Sequence, residues 1–419
     1  MKKSIYFFLA LAAMVLSASC NKETVVSQEF DPNAISYKAL AYNSTKAGAV
    51  DNSNLSNAGT VYISAIKLND DKYYFTNNQI LGADLDASTA NHGQTSYYWP
   101  AYKLGFFAAN APLTVTQEVN NEETVDLTPS IDNFEVPRTA FNAPNELMVA
   151  MEAQHRDDAS TVQLNLHHAL AKLTIAAVES LDSYTVSVAG VQLGGFYSKG
   201  TFTFPEYNTN NGSSDTAWEG LVSASYGDQQ VNNLNNRWSG QNTILQYGYL
   251  NLNNEVLSGS ALTGTAANIM GNNYFYIIPQ AVTKTANASG NVPEKTDHYI
   301  DILVNVRNAA GVQIYPSSSD ANKFAVARVY IPAGQAFEAG KSYTITLNFN
   351  SGIGVSESGQ SLYNAASADQ SNTLTNFVKT VSPEFPNDEY ILGQAIGYTV
   401  TTNGWIDVNS PSVSVYPQP

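Results

Sequence analysis

Residues 162–178 read VQLNLHHALAKLTIAAV, and this run decides the fold. Val162, Leu164 and Leu166 fall on alternate positions, and so do Leu173, Ile175 and Ala177, but the two sets are out of phase. Alternation with a period of two marks a half-buried strand, because successive side chains of a strand point to opposite faces of its sheet. A change of phase within one run requires a bulge or bend, which falls near His167 to Lys172. The same alternation recurs at Ile300, Ile302, Val304 and Val306, and at Tyr343, Ile345, Leu347 and Phe349. Further strand-like runs lie at 60–68, 102–109, 146–151, 184–193, 201–204, 274–278, 324–331 and 396–401, with Gly, Pro and Asn punctuating the gaps. No helical period emerges. Residues 206–273, rich in Asn, Gly and Ser and poor in alternation, read as a long elaborated loop region.

Composition agrees with an exported β-protein. The 419 residues allow two or three domains. Thirty-six acidic residues against 20 basic ones give a net charge of −16, or −18 once Lys2 and Lys3 are removed, a sign that argues against a nucleic-acid or anionic-lipid surface. Charged residues are only 13% of the chain, whereas Tyr numbers 25 and Gly 27, as in extracellular β-proteins. An apolar fraction of 43% excludes a disordered chain, and past the first twenty residues no apolar run approaches membrane-spanning length.

Lys2 and Lys3, the apolar stretch from Ile5 to Leu16 and the small residues Ser17, Ala18 and Ser19 make an export signal over 1–19. Cys20 follows directly and is the chain's single cysteine, so disulfides are excluded. Small residues before such a cysteine resemble the lipobox of bacterial lipoproteins, which makes Cys20 a lipidation site. Leu16 stands four residues before it, where the usual pattern has three. The other reading is an ordinary secretory peptide with an incidental cysteine.

Enzyme signatures are weak. Gly334–Ser342 (GQAFEAGKS) has five residues between its glycines and leads into the Tyr343–Phe349 strand, whereas a phosphate loop has four and opens a helix. His167 and His168 are adjacent and point to opposite faces of a strand, so they cannot share a metal. His92, His155 and His298 have no ligand spacing around them, and Asp70/Asp71 and Asp157/Asp158 read as solvated turns. No catalytic residue, metal site or cofactor is expected. A glycosidase carboxylate pair is spatial and leaves no fixed spacing, so reducing-sugar release is its test.

Read in order, several segments resemble one family. Ile35, Tyr37, Ala39 and Ala41 alternate and run into Asn43, Ser44, Thr45, Lys46 and Ala47, similar to the removable first strand and trypsin-like processing site of the fimbrillins, the subunits of type V pili. Tyr97, Tyr98, Trp99 and Pro100, followed by Leu104 to Ala108 and closed by Pro112, resemble the family's "YYWP…L.FFA..P" block. Val162 to Ile175 resembles its "V.L.L.HALAKL" strand, Gly340 to Phe349 its "GK.Y.I.L.F" strand, and Gly397 to Trp405 its terminal strand.

The resemblance implies an all-β fold of two tandem antiparallel β-sandwich domains, transthyretin-like or immunoglobulin-like. The boundaries it suggests are a lipoprotein signal peptide at 1–19, a propeptide with the removable strand at 20–46, domains at 47–165 and 166–394, and a donor-strand segment at 395–419. It further implies an outer-membrane lipoprotein that is cleaved at Lys46–Ala47 by a trypsin-like, Arg/Lys-specific protease. Loss of the strand at about Ala34 to Tyr42 then opens a groove for the C-terminal strand of another fimbrial subunit. Ile396, Tyr398 and Val400 form one candidate set of pocket-fillers, and Val413 and Val415 a second. The family's processing residue is usually Arg, and a loop lysine between the first strand and Thr60 is equally read as a solvated charge. The alternative function is a monomeric outer-membrane surface lipoprotein that binds glycan or host protein through loops such as 206–273. Tyr98 and Trp99 are either packing residues or a glycan-stacking platform.

Overall fold

The computed structural model describes residues 33–41, 55–69, 72–85, 91–115, 128–136, 146–157, 161–180, 183–205, 234–243, 246–257, 266–270, 274–283, 298–318, 323–357, 362–364, 388–393 and 396–404. Its strands begin with β1 (Ser36–Ala41), β2 (Thr60–Lys67), β3 (Lys72–Leu81), β4 (Leu104–Ala109), β5 (Ser130–Glu135), β6 (Met148–Gln154), β7 (Thr161–His168) and β8 (Ala171–Val178). Next come β9 (Tyr184–Gly194), β10 (Tyr197–Thr203), β11 (Trp238–Thr243), β12 (Gln246–Leu257), β13 (Ala267–Asn268), β14 (Phe275–Ile277), β15 (Gln280–Ala281) and β16 (Tyr299–Asn308). The last are β17 (Gln313–Tyr315), β18 (Lys323–Tyr330), β19 (Ala336–Phe337), β20 (Lys341–Asn348), β21 (Val355–Glu357), β22 (Tyr363–Asn364), β23 (Asp388–Tyr390) and β24 (Gly397–Gly404). Helical structure among the described residues is confined to single turns, so the fold is all-β.

A six-stranded sheet has the order β1-β7-β6-β4-β2-β3, and a three-stranded sheet the order β11-β10-β5. An eight-stranded sheet is built on β12-β9-β16-β18-β21-β23, with β17 and β22 attached, and a five-stranded sheet on β13-β8-β20-β24, with β14 attached to β8. β15 and β19 pair by themselves. Most pairs are antiparallel, but β1 with β7 and β8 with β20 run parallel. Each of those two pairs joins strands far apart in the chain, where no hairpin dictates direction.

The bend expected near His167 to Lys172 is a change of sheet. β7 ends at His168 in the six-stranded sheet, and β8 starts at Ala171 in the five-stranded one. Ala169 and Leu170 turn the corner fully buried. β5, which precedes residue 165, pairs with β10, which follows it, so the three-stranded sheet spans that position.

Burial follows the alternation. Val186, Val188, Ile300, Ile302, Ile345 and Leu347 come from facing surfaces of the eight- and five-stranded sheets and share one hydrophobic cluster. That is sheet-on-sheet packing. The β9 pattern slips from Val186 and Val188 to Val191 and Leu193 because a bulge opposite Leu303/Val304 adds a residue, Ala189. The cluster continues through Phe107 and Val149 on one face of the six-stranded sheet to Phe202, Phe204 and Trp238 of the three-stranded sheet. The other face of the six-stranded sheet carries a second cluster.

Residues 206–273 are more than the loop expected. They hold β11, β12 and β13, of which β12 pairs along β9. As an edge strand with repeated register shifts, β12 has no need of the alternation that marks a buried strand. β3 also escaped the sequence pattern. Within KYYFTNNQIL, Asn77 adopts a left-handed conformation (φ 50°), and its side chain donates to Leu113 O (2.7 Å) and accepts from Leu113 N (2.8 Å). The Gly334–Ser342 segment forms a turn with β19 and then enters β20.

Candidate functional site

β1 is held on both sides. On one edge it runs parallel to β7, from Ser36 opposite Thr161 to Ala41 opposite Leu166, and Ser36 Oγ lies 2.9 Å from Thr161 Oγ1. On the other edge Ile35 N donates to Tyr97 O (2.7 Å), Tyr37 N to Asn91 O (2.7 Å) and Ala39 N to Leu85 O (3.2 Å). Asn91 N donates back to Tyr37 O, Trp99 N donates to Asn33 O, and His92 Nδ1 lies 2.8 Å from Ile35 O. Sequence reasoning left His92 without a role; a ring meeting a distant backbone carbonyl has no sequence spacing to reveal it.

The segment 91–99 that closes this outer edge is anchored at the far end of the same sheet. Gln94 N donates to Gln79 O (2.7 Å), while the Asn78 amide bonds Thr95 O (3.0 Å), Thr95 N (3.1 Å) and His92 O (3.3 Å). One strap therefore links β3 and β1, the two edges of the six-stranded sheet. β1 lies in a slot whose walls are β7 and the strap.

The slot is apolar inside. Ile35, Tyr37 and Ala39 have no exposed surface and join Val61, Ile63, Phe106, Val162 and Leu164 in the second cluster. At ~1.5–3 kcal/mol for each large side chain, Ile35 and Tyr37 together contribute roughly 3–6 kcal/mol before ordering costs. The Tyr37 ring meets Phe106 edge-on at 6.2 Å. Burial holds its phenol protonated far past the ordinary range, with the Asn78 side chain as its polar neighbour. Trp99 is buried edge-on against Phe106 at 5.9 Å and is thus a packing residue, whereas Tyr98 is 52% exposed. Of the four removable-strand residues, Ala41 is placed here by its backbone pairing.

The C-terminal candidates lie elsewhere. β24 pairs antiparallel with β20 along its whole length, from Lys341 opposite Gly404 to Asn348 opposite Gly397, and among the described residues it is the edge of its sheet. Ile396 and Val400 are buried and Tyr398 is half-buried, all against the larger cluster. Burial raises the Tyr398 phenol above its usual value. Cys20, Lys46, Ala47, Val413 and Val415 lie outside the described residues.

Among the described residues no group of three or more His, Cys, Asp or Glu is arranged to hold a metal ion, and no helix is long and apolar enough to cross a membrane. His168 is buried against the Glu146 carboxylate, and Tyr276 reaches the other oxygen of that group at 3.4 Å, while His167 on the opposite face is half-buried. Burial pushes the His167 imidazole down to about 4. Asp157 sits in an exposed turn beside His155.

Three solved structures illustrate the likenesses found. A candidate cell adhesion protein from Bacteroides uniformis is 14% identical, covers 80% of this chain and 100% of its own, and has a TM-score of 0.36. A candidate cell adhesion protein from Parabacteroides distasonis is 8% identical over 91% of this chain and 99% of its own, with a TM-score of 0.42. A fimbrial assembly protein from Parabacteroides distasonis is 9% identical over 79% and 96%, with a TM-score of 0.32. No curated protein matches. The sequence pattern of the fimbrillin-like family matches residues 45–362, which is well over half of the chain and reaches neither β1 nor β24. On that match the chain belongs to the fimbrillin-like family.

Proposed function

We propose that this chain is a structural, non-catalytic subunit of a cell-surface fimbria. It is exported as a lipoprotein through Cys20, anchored in the outer membrane, cleaved at Lys46–Ala47 by a trypsin-like protease and polymerised with other fimbrial subunits by donor-strand exchange, contributing to adhesion. The observation that carries this reading is the slot. β1 is a short strand buried in the core, yet both walls that hold it belong to the chain after residue 46. Cutting at Lys46 thus makes β1 a separate peptide and leaves its binding site intact. Backbone hydrogen bonds supply affinity for the incoming strand, and alternate pockets fix its register. The incoming strand comes from residues 395–419, with Ile396, Tyr398 and Val400 or Val413 and Val415 as its pocket-fillers.

The test treats purified, lipid-free full chain with a lysine-cleaving trypsin-like protease. The expected product starts at Ala47 and forms an SDS-resistant ladder, and the Lys46→Gln chain stays monomeric. A wild-type chain that is cut at Lys46 and never forms a ladder overturns the proposal.

One feature favours the alternative, a monomeric outer-membrane lipoprotein that binds glycan or host protein. Exposed Tyr98 sits beside a tyrosine group in which the Tyr74 hydroxyl donates to Tyr98 O (2.7 Å) and the Tyr74 ring meets Tyr97 and Tyr102 at 6.3 and 6.5 Å. Aromatic faces of this kind stack on sugars. That reading predicts saturable glycan binding by the uncleaved chain, lost in Tyr98→Ala.

A further inference from the structure

The strap that closes β1 into its slot also forms one wall of a cleft. The cleft has a volume of about 250 Å³ and is bordered by Thr60 of β2, Gln79 and Leu81 of β3, Asp84 in the turn after β3, and Asn91 and Gln94 of the strap itself. Leu81, Asp84 and Gln94 are exposed, so the cleft opens to solvent. Among the described residues the side chains of Thr60, Gln79, Asp84 and Gln94 make no hydrogen bond to another residue. Their polar atoms are available to a ligand.

The lining selects a class of ligand. Gln79, Asn91 and Gln94 bring carboxamides, Thr60 a hydroxyl and Asp84 a carboxylate. A carboxamide donates and accepts at once, as a sugar hydroxyl does, and a carboxylate accepts from two neighbouring hydroxyls. Leu81, a large apolar side chain that is 56% exposed, offers a surface to the C–H face of a pyranose ring. Among the described residues no Lys, Arg or His borders the cleft, and the chain carries a net charge of −16. A phosphate or an acidic sugar would meet Asp84 with no cation to pair with. The volume lies below the roughly 300–1,000 Å³ of sites for drug-sized ligands, which suits one ring and not a chain of them.

The cleft and the slot share the strap. Asn91 borders the cleft, while its backbone exchanges both hydrogen bonds with Tyr37 of β1 (2.7 and 3.2 Å). Gln94 N donates to Gln79 O on the opposite wall (2.7 Å). We propose that the cleft binds one neutral sugar ring, and that the sugar, bonded to Gln79 and Asp84 on one wall and to Asn91 and Gln94 on the other, fastens the strap over β1. A ligand taken by the strapped state alone shifts the opening equilibrium against release of the first strand. The site is distinct from the Tyr98 group, which lies at the other end of the strap, and it does not depend on strand exchange.

The experiment uses the uncut, lipid-free chain, with binding followed by titration calorimetry and amide exchange of residues 33–41 by mass spectrometry. Glucose, galactose, mannose and N-acetylglucosamine are the neutral probes, and N-acetylneuraminic acid is the anionic one. At least one neutral probe should saturate with a dissociation constant on the order of 1–10 mM. At about ten times that constant, exchange at Ile35 and Tyr37 should slow by up to about tenfold. Gln79→Ala with Gln94→Ala takes a bonding group from each wall and keeps the backbone bond between them, so this variant should melt as wild type does but lose both the binding and the slowing. Saturation by none of the four sugars overturns the site, and tighter binding of the anionic probe overturns the ligand class. Binding that survives in the double variant also overturns the site, and its loss in Tyr98→Ala would then put the sugar on the tyrosine group. Binding without slower exchange, or slowing that is equal in wild type and the double variant, overturns the coupling to β1. None of these outcomes involves polymerisation, so the strand-exchange reading stands or falls separately.

Discussion

At the scale of single residues, Tyr37 and His167 give the clearest tests. Tyr37 fills an enclosed pocket against Phe106, so Tyr37→Ala should cost about 3–5 kcal/mol, read from the urea midpoint of the uncut chain. Tyr37→Phe removes a buried hydroxyl that makes no hydrogen bond among the described residues, and Asn78 keeps its bonds to Thr95 and His92. That variant should match or exceed wild type by up to about 1 kcal/mol. His167 acts through protons. Its folded value of about 4 lies below the ordinary one near 6.5. As pH falls through that window the unfolded chain takes up a proton that the folded chain refuses. Stability present above pH 6.5 is therefore lost by about pH 4, on the order of 1–3 kcal/mol from this residue. In His167→Gln the acid arm of the stability curve should flatten over that window, as followed by thermal melts from pH 7 to pH 4. The adjacency of the two histidines was legible in the sequence. Their partners were not, because Glu146 reaches His168 only when β6 and β7 lie side by side.

At the scale of elements, the eight-stranded sheet carries a buried ion pair between neighbouring strands. Arg328 on β18 donates through Nε to Asp301 Oδ1 (2.7 Å) and through Nη2 to Asp301 Oδ2 (2.9 Å), with its guanidinium 3.6 Å from the Tyr299 ring centre. Burial raises the Asp301 carboxyl above its usual range, and the Arg328 charge opposes that rise. Arg328→Met leaves a buried carboxylate unpaired and should cost about 3–5 kcal/mol, whereas Arg328→Met with Asp301→Leu should recover most of the loss, as judged by equilibrium unfolding. The β16 alternation of Ile300, Ile302, Val304 and Val306 predicts one buried face and one solvated face. Both are buried, since Tyr299, Asp301, Leu303 and Asn305 on the other face are covered as well. Gly194 makes room on that face, because a Cβ there would overlap the Tyr299 ring.

At the scale of the whole molecule, strand exchange as proposed makes the balance between β24 in its own sheet and a C-terminal strand in a neighbour's slot the quantity to shift. Gly397 lies close under Ser351, whose Oγ would stand 2.7 Å from an added Cβ. Gly397→Ser should therefore loosen β24 on β20 and, on the proposed strand exchange, raise the rate of ladder formation in a protease-triggered time course. The strap acts in the opposite sense. Asn78→Ala unfastens it from Thr95 and His92, and the cut chain should then release a labelled β1 peptide faster, measured by the fall in fluorescence anisotropy on dilution.

The all-β class, the positions of strands such as β2, β4, β8, β16 and β20, and the bend near His167 to Lys172 are all legible in the chain, because each is written in local alternation or in a change of its phase. That β1 runs parallel to β7, that the chain changes sheets at Ala169 and Leu170, that 206–273 contains strands, and that the segment 91–99 closes over β1 emerge in three dimensions alone. Pairing direction, edge closure and the second buried face of a sheet depend on which distant backbone groups find each other. A side-chain period records only which residues avoid water, and carries no information about the partner they avoid it with.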